Sequence, residues 1–485
     1  MTPASGALPP AGPATPGLLA PQDIVEIALA ASRTDGCIVI VQPTSRANVR
    51  WANNTVTTNG VSDTLTWWVI AVQGGAAGTV AASASAAGSR EQVAETVRQA
   101  EDAARAAAQA GPAQDLQPLV GTGDDSTGTD DAAFATAPAQ TSFAVYRDLL
   151  PTLGAAFGAA RSRDEILYGF ARHEQATTYL GTSTGLRRRW VQPTGTVELN
   201  AKSADLARSS WSALSTADFV GVDVSAMADN LSERLGWSTR QIELPAGRYD
   251  TLLPPTAVAD FMIPLVWRAG ARAAHEGRSP FSAPGGGTRA GERLTDQALS
   301  LYTDPLADGI ETAPFVVAAE SSEDLSVFDN GAPVGRTTLV QGGAVGSLAH
   351  TRASAQRYDE PFTPVTDNLT LIGGDQRRTT ADLIAGLERG LLLTSQWYLR
   401  EVDPQSMLTT GVTRDGVFLV EGGEIVGACN NFRFNMSPLD VLRRAGDVGA
   451  TQPTLSREWS DWFTRTAMPP MVVHDFVMSS VSQAK

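Results

Sequence analysis

The feature that most narrows what this chain can fold into is a change of rhythm near Gln241. Beyond Leu244, short apolar runs alternate with glycine pairs, as in VQGGAVGSL, LIGGDQ and LVEGGEIVG. Paired glycines let a chain reverse through positive φ, so the pattern predicts an antiparallel, twisted β assembly, sandwich- or barrel-like. One long helix interrupts the start of this half. It is expected to follow Pro254-Pro255, with Thr256 as its N-cap, and to run to about His275. Pro264 should kink it by removing the bond to the Asp260 carbonyl. Shorter helices are expected over about 380–389 and 438–444.

The first half mixes periods. Ile24, Val25, Ile27, Ala28 and Ala31 recur at helical spacing before the apolar run Cys37 to Val41, a buried strand. Asn59-Gly60, between β-prone runs, predicts a hairpin turn. Ser89 with Gln92 forms a capping box for an alanine-rich helix that stops at Gly111-Pro112. Residues 111–140 turn acidic and glycine-rich and are expected to form a flexible insertion. A helix over about 143–160, extended runs over 166–180 and 187–200, and helices over about 203–214 and 225–235 follow. The expected fold class is therefore α+β: a Pro/Ala/Gly tail over 1–20 expected to be disordered, an N-terminal α+β domain over 21–240, and a larger β-rich domain with one long kinked helix over 241–485.

The net charge of −15, from 52 acidic and 37 basic residues, repels a phosphate backbone and argues against nucleic acid as a partner. Arg187-Arg188-Arg189 is read as a solvated face rather than a binding patch. No apolar stretch is long enough to span a bilayer, and no signal peptide is recognisable, so a cytoplasmic protein without a membrane partner is expected. Cys37 and Cys429 stand far apart and form no metal or disulfide framework, which fits a reducing compartment.

Isolated motifs carry little. Gly181-Thr182-Ser183-Thr184-Gly185 matches the G-x-S-x-G pattern of hydrolase nucleophile elbows, but an extended run follows it instead of a helix, so a polar hairpin tip is expected. His275-Glu276 begins an H-E-x-x-H pattern and then fails, because Arg278, Ser279 and Pro280 replace the second histidine. With His173, His275, His350 and His474 the only histidines, a zinc site would need distant donors to converge. The triplet Gly285-Gly286-Gly287 lacks the Lys-Ser/Thr of a phosphate loop. Trp67, Trp68, Trp397 and Tyr398 are read as core or sheet-face packing rather than a ligand cage. No catalytic, cofactor-binding or metal-binding residue is assigned.

Several segments, in order, resemble the TldD/PmbA family: LPAGRYDTLLPPTAVADFM, then DNGAPVGRTTLVQGGAVGSL, PVTDNLTLIGGDQRRTTADLI, RGLLLTSQWYLREVDPQSMLTTGVTRDGVFLVEGGEI and NNFRFNMSPLDVLRRAGDVG. GTSTGLRRRW sits where the family carries an Asn-Ser-x-Gly segment, with Thr182 in place of the Asn. The resemblance implies two kinds of chain: TldD-type zinc peptidases, with an HExxxH helix and a distant Cys, and PmbA (TldE-like) chains without them. Here the corresponding helix reads Phe261-Met262-Ile263-Pro264-Leu265-Val266-Trp267, and the C-terminal segment Thr466 to Val473 has no Cys.

What the resemblance implies is a TldE-like, non-catalytic partner subunit of a TldD-type zinc metallopeptidase. It would hold no cofactor of its own, zinc being expected in the partner, and would help to wall a chamber for unfolded peptides. Two alternatives stay open: a stand-alone metallopeptidase with a site assembled from His275, Glu276, His350 or His474, and a peptide-binding module.

Overall fold

The structure is a computed structural model that describes residues 17–123, 131–414 and 416–482. The expected tail up to residue 16 and residues 124–130 of the acidic segment lie outside the described residues. The fold is mixed α+β, with one large sheet in the first half and two in the second.

The first sheet has six antiparallel strands, named in chain order: β1 (Gly36–Ala52), β2 (Thr55–Gln73), β3 (Ala76–Ser83), β4 (Glu165–Thr182), β5 (Arg187–Ser203) and β6 (Ser209–Thr216). They lie in the spatial order β3-β2-β1-β4-β5-β6. β1 and β2 are joined at Asn53-Asn54, both at positive φ (52° and 57°), the requirement of a type I′ turn. The expected turn at Asn59-Gly60 is not made; Asn59 pairs with Val49 and Gly60 with Asn48 inside the ladder. Tertiary bonds select the earlier dipeptide, since the Asn54 side chain donates to the Glu165 carbonyl (2.8 Å) and accepts from the Leu167 amide (2.7 Å).

Strand alternation divides this sheet into two kinds of face. Ala47, Val49 and Trp51 of β1, Ala171 of β4, and Val197, Leu199 and Ala201 of β5 pack under the helices Leu149–Ser162 and Val224–Trp237. The intervening residues, Asn48, Arg50, Phe170, Arg172, Glu198 and Asn200, face the other way. At the other end of the sheet, α-helices Pro21–Ala31 and Arg90–Ala108 cover β1 and β2, and Ser89 caps the latter by accepting from the Gln92 amide.

The helix expected over 203–214 is instead the edge strand β6, paired with β5 from Ser209 to Thr216. Its Trp211 and Ala213 alternate with Ser210 and Ser212, a period-2 pattern hidden within a short polar run, while Leu214 lies on the opposite face. Residues 111–123 run back along the first sheet, with the Ala113 amide bonded to the Gly75 carbonyl and Val120 buried.

In the second half, a six-stranded sheet and a ten-stranded sheet enclose the helix Pro255–Trp267. Both sheets are mostly antiparallel and open, each ending in edge strands, so no closed barrel forms. Leu301, Leu339 and Leu369 on one side and Leu391, Phe432 and Met471 on the other share one core with the helix. A helix buried on nearly every side needs apolar residues on nearly every side, and this one supplies them except at Asp260. It is shorter than expected: it ends at Trp267, and a separate turn, Ala271–His275, begins after Gly270. Pro254 occupies the N-cap position without a side-chain capping bond, Pro255 starts the first turn, and Thr256, expected as the cap, lies inside it. Among the described residues no helix is long and apolar enough to cross a membrane.

Candidate functional site

Pro264 has no amide hydrogen, so the carbonyl four residues earlier, at Asp260, loses its helical partner. The indole Nε1 of Trp459 donates to that carbonyl at 2.9 Å. The Asp260 side chain completes the attachment: its Oδ1 accepts from the Ser456 hydroxyl (2.7 Å) and the Glu458 amide (3.0 Å). A helix defect legible in the sequence thus docks the loop 456–463 against the buried helix. Asp260 is fully buried, and among the described residues its Oδ2 has no hydrogen-bond partner. Burial pushes its carboxyl up to about 7 against the opposing pull of Ser456 and the Glu458 amide.

The docked loop orders a row of side chains. Glu458 accepts from the amides of Tyr398 (2.8 Å) and Leu399 (3.1 Å) and from the Arg400 guanidinium (3.1 Å). These amides belong to Gln396–Asp403, the edge strand of the ten-stranded sheet, so at this point the edge is capped by a carboxylate and closed to strand addition. Trp459 meets Trp267 edge-on at 5.1 Å between ring centroids and lies 6.5 Å from Trp462. Arg457 lies between two indoles, 4.9 Å from the Trp211 ring of β6 and 5.2 Å from the Trp397 ring, and so links the two halves of the chain.

The result is a cleft of about 860 Å³ between the exposed face of the first sheet and the loop 456–463. Its floor is the polar row of β1, β4 and β5: Arg50 stands beside Phe170, and Phe170 beside Glu198, in register. Its rim is aromatic, with Trp462 72% exposed, Tyr398 57% and Trp397 39%. The expectation that Trp397 and Tyr398 serve core or sheet-face packing is corrected: both line the cleft. Tyr398 is held there at positive φ (59°), with Arg400 4.1 Å over its ring. The dense tryptophans of Arg457-Glu458-Trp459-Ser460-Asp461-Trp462 are the one sequence signal of this cleft, which the expectations above do not include.

The other singled-out residues lie elsewhere. Ser183, at the tip between β4 and β5, accepts from the Cys37 amide (3.0 Å), and no helix follows, as expected of a hairpin tip. Arg187-Arg188-Arg189 is not a solvated face: Arg187 pairs with Glu26 (2.6 Å), Arg188 is buried, and Arg189 donates to the Ala137 carbonyl (2.8 Å). Gly285, Gly286 and Gly287 all take positive φ in an open loop.

His173 is buried between Thr141 (2.7 Å) and the Ala217 carbonyl (2.8 Å), and burial lowers its pKa. His474 faces Asp250 at 3.0 Å on the C-terminal strand. His275 stacks on Tyr358 at 3.8 Å and lies 6.2 Å from His350, whose pKa burial lowers. Glu276 is taken by Arg278 (2.6 Å) and Arg357 (3.3 Å). Cys37 and Cys429 are both buried, which pushes each thiol up to about 11. Among the described residues no three His, Cys, Asp or Glu side chains gather as a metal-holding group.

Two profiles of one family match the chain: the PmbA/TldA metallopeptidase C-terminal domain over residues 246–480 and PmbA/TldA metallopeptidase domain 1 over residues 37–104, together more than half its length. The chain belongs to the PmbA/TldD family.

Its fold is TldE-like. The crystal structure of TldE from Thermococcus kodakarensis superposes with a TM-score of 0.73 at 15% identity, covering 94% of this chain and 99% of that one. A Thermotoga maritima protein described as a candidate modulator of a DNA gyrase gives 0.72 at 15% identity, with 94% and 99% coverage. A Bacteroides thetaiotaomicron protein described likewise gives 0.71 at 12%, with 95% and 98% coverage. No curated protein sequence matches it.

The family name implies a metal, and the donors at the buried helix of this PmbA/TldD chain do not fit a catalytic zinc. Such a site needs three His, Cys or carboxylate ligands with an open position. Helix Pro255–Trp267 offers one carboxylate, Asp260, which is already engaged by the loop that shapes the cleft.

Proposed function

We propose that this chain is the non-catalytic, TldE-like partner of a TldD-type zinc metallopeptidase. It acts in the cytoplasm on unfolded peptides, with the zinc and the hydrolytic step supplied by the partner and part of the substrate chamber by this chain. The observation that carries the reading is the buried helix of the metallopeptidase C-terminal domain, which brings neither His nor Cys and uses its one carboxylate to anchor the loop 456–463. Without a Lewis acid to activate water, amide hydrolysis lacks its nucleophile. The two buried, high-pKa thiols are poor substitutes for one.

The test is reconstitution. The purified chain alone should carry no stoichiometric zinc and cleave no unfolded peptide, and adding a TldD-type chain should give a stable heteromer with peptidase activity. Zinc-dependent cleavage by this chain alone would overturn the proposal, as would failure of the two chains to associate.

A further inference from the structure

The cleft pairs an aromatic rim with two guanidinium groups that have no ion-pair partner among the described residues. Arg50 and Arg172 lie on adjacent strands of the first sheet, one beside Phe170 and the other two residues further along β4. Side chains at such diagonal positions reach a common point. Among the described residues neither has a carboxylate within ion-pairing distance, whereas Arg400 is bound by Glu458 and Arg457 lies between two indoles. Both unpaired arginines line the 860 Å³ cleft, and Arg50 also lies 5.9 Å from the centroid of the Phe170 ring.

Two planar forks on adjacent strands that line one cleft suit a carboxylate, which an arginine binds through two parallel hydrogen bonds. The rest of the ligand is set by what surrounds them. Trp462 and Tyr398 are exposed, with Arg400 over the Tyr398 ring, and a large apolar or aromatic side chain laid against this rim would relieve the cost of that exposure. A polyanion is disfavoured by the overall charge of −15 and by Glu198 and Asp461 in the same lining, so the negative charge accepted is single and local. Glu458 covers the neighbouring edge amides, so recognition runs through side chains rather than an added strand.

We infer that this cleft is a peptide-binding site that takes a carboxylate on Arg50 and Arg172, with an adjacent bulky apolar side chain against the Trp462 and Tyr398 rim. The inference rests on the peptide-substrate part of the proposed function and is independent of the zinc-bearing partner. The carboxylate can be a peptide's C-terminus or an Asp or Glu side chain.

The experiment is fluorescence anisotropy on the isolated full chain with short labelled peptides carrying one tryptophan. One peptide ends in a free carboxylate, one is amidated, and one is amidated with a glutamate beside the tryptophan. At least one carboxylate-bearing peptide should bind, at least about tenfold more tightly than the amidated one, since a charge-assisted pair contributes on the order of 1.5–3 kcal/mol. Which of the two binds identifies the source of the carboxylate.

Arg50→Gln and Arg172→Gln should each weaken that binding about tenfold, and Trp462→Ala should weaken all arms together. Arg248→Gln, outside the cleft, should change nothing. The arginine variants break no ion pair among the described residues, so unchanged thermal unfolding will separate lost binding from lost fold. Equal binding of the amidated and carboxylate peptides, binding indifferent to both arginines, or no binding by a folded chain would each overturn the inference. Association with a TldD-type chain is read in a separate assay, so either idea can fail without the other.

Discussion

Asp260→Asn should change the pH dependence of stability in a predictable direction. The Asp260 carboxyl has no exposed surface, and burial raises it from 3.8 to about 7, even though Ser456 and the Glu458 amide favour the ionised form. The folded chain therefore holds this proton more tightly than the unfolded chain. The associated stability is fully present below about pH 4, declines as the pH rises, and is lost once the pH passes about 7. A rise of this size corresponds to about 4 kcal/mol across that window. Asparagine is neutral throughout and keeps an acceptor for Ser456 and Glu458, but places an amide NH₂, one donor more than the protonated carboxyl, where Oδ2 has no partner among the described residues, at a cost of about 1–3 kcal/mol. In urea unfolding at a series of pH values, the wild type should be the more stable of the two near pH 4.5. The difference should shrink and reverse by pH 8. A difference between the two proteins that stays constant from pH 4.5 to 8 would refute the reasoning, because it would mean that Asp260 does not change protonation on folding.

Trp459→Phe keeps the ring but removes the donor that satisfies the carbonyl freed by Pro264, and should cost about 1–3 kcal/mol; adding Pro264→Ala, which returns the helical amide, should recover part of that loss in the same unfolding assay. Asn54→Ala removes two tertiary hydrogen bonds and puts alanine at positive φ, so the melting temperature should fall by an amount equivalent to about 2 kcal/mol or more, whereas Gly60→Ala, within a regular strand and with only the Asn48 amide nearby, should be much milder.

Much of the architecture could be read from local pattern. The glycine-paired turns, the presence of an apolar helix next to Pro254-Pro255, the cap at Ser89 and the long extended runs of β4 and β5 depend on neighbours in sequence, so periodicity and turn chemistry find them. The failures share another cause. Asn59-Gly60 is the better turn dipeptide by propensity, yet Asn53-Asn54 wins through bonds to Glu165 and Leu167, more than a hundred residues away. The segment expected as a helix over 203–214 became β6 because β5 offers it a full ladder. Trp397 and Tyr398 resemble core residues until Glu458, some sixty positions later, fixes their strand at the rim of a cleft.

The sequence by itself determined the TldD/PmbA resemblance, the glycine-punctuated β half and the vacancy that Pro264 leaves at the Asp260 carbonyl, because each follows from residue type and short spacing. Only the tertiary structure decided what fills that vacancy, which face of β1, β4 and β5 remains uncovered, and that Arg50 and Arg172 look out beside exposed indoles. Hydrogen bonds and burial between residues hundreds of positions apart are set by how sheets and loops pack, and no local pattern encodes them.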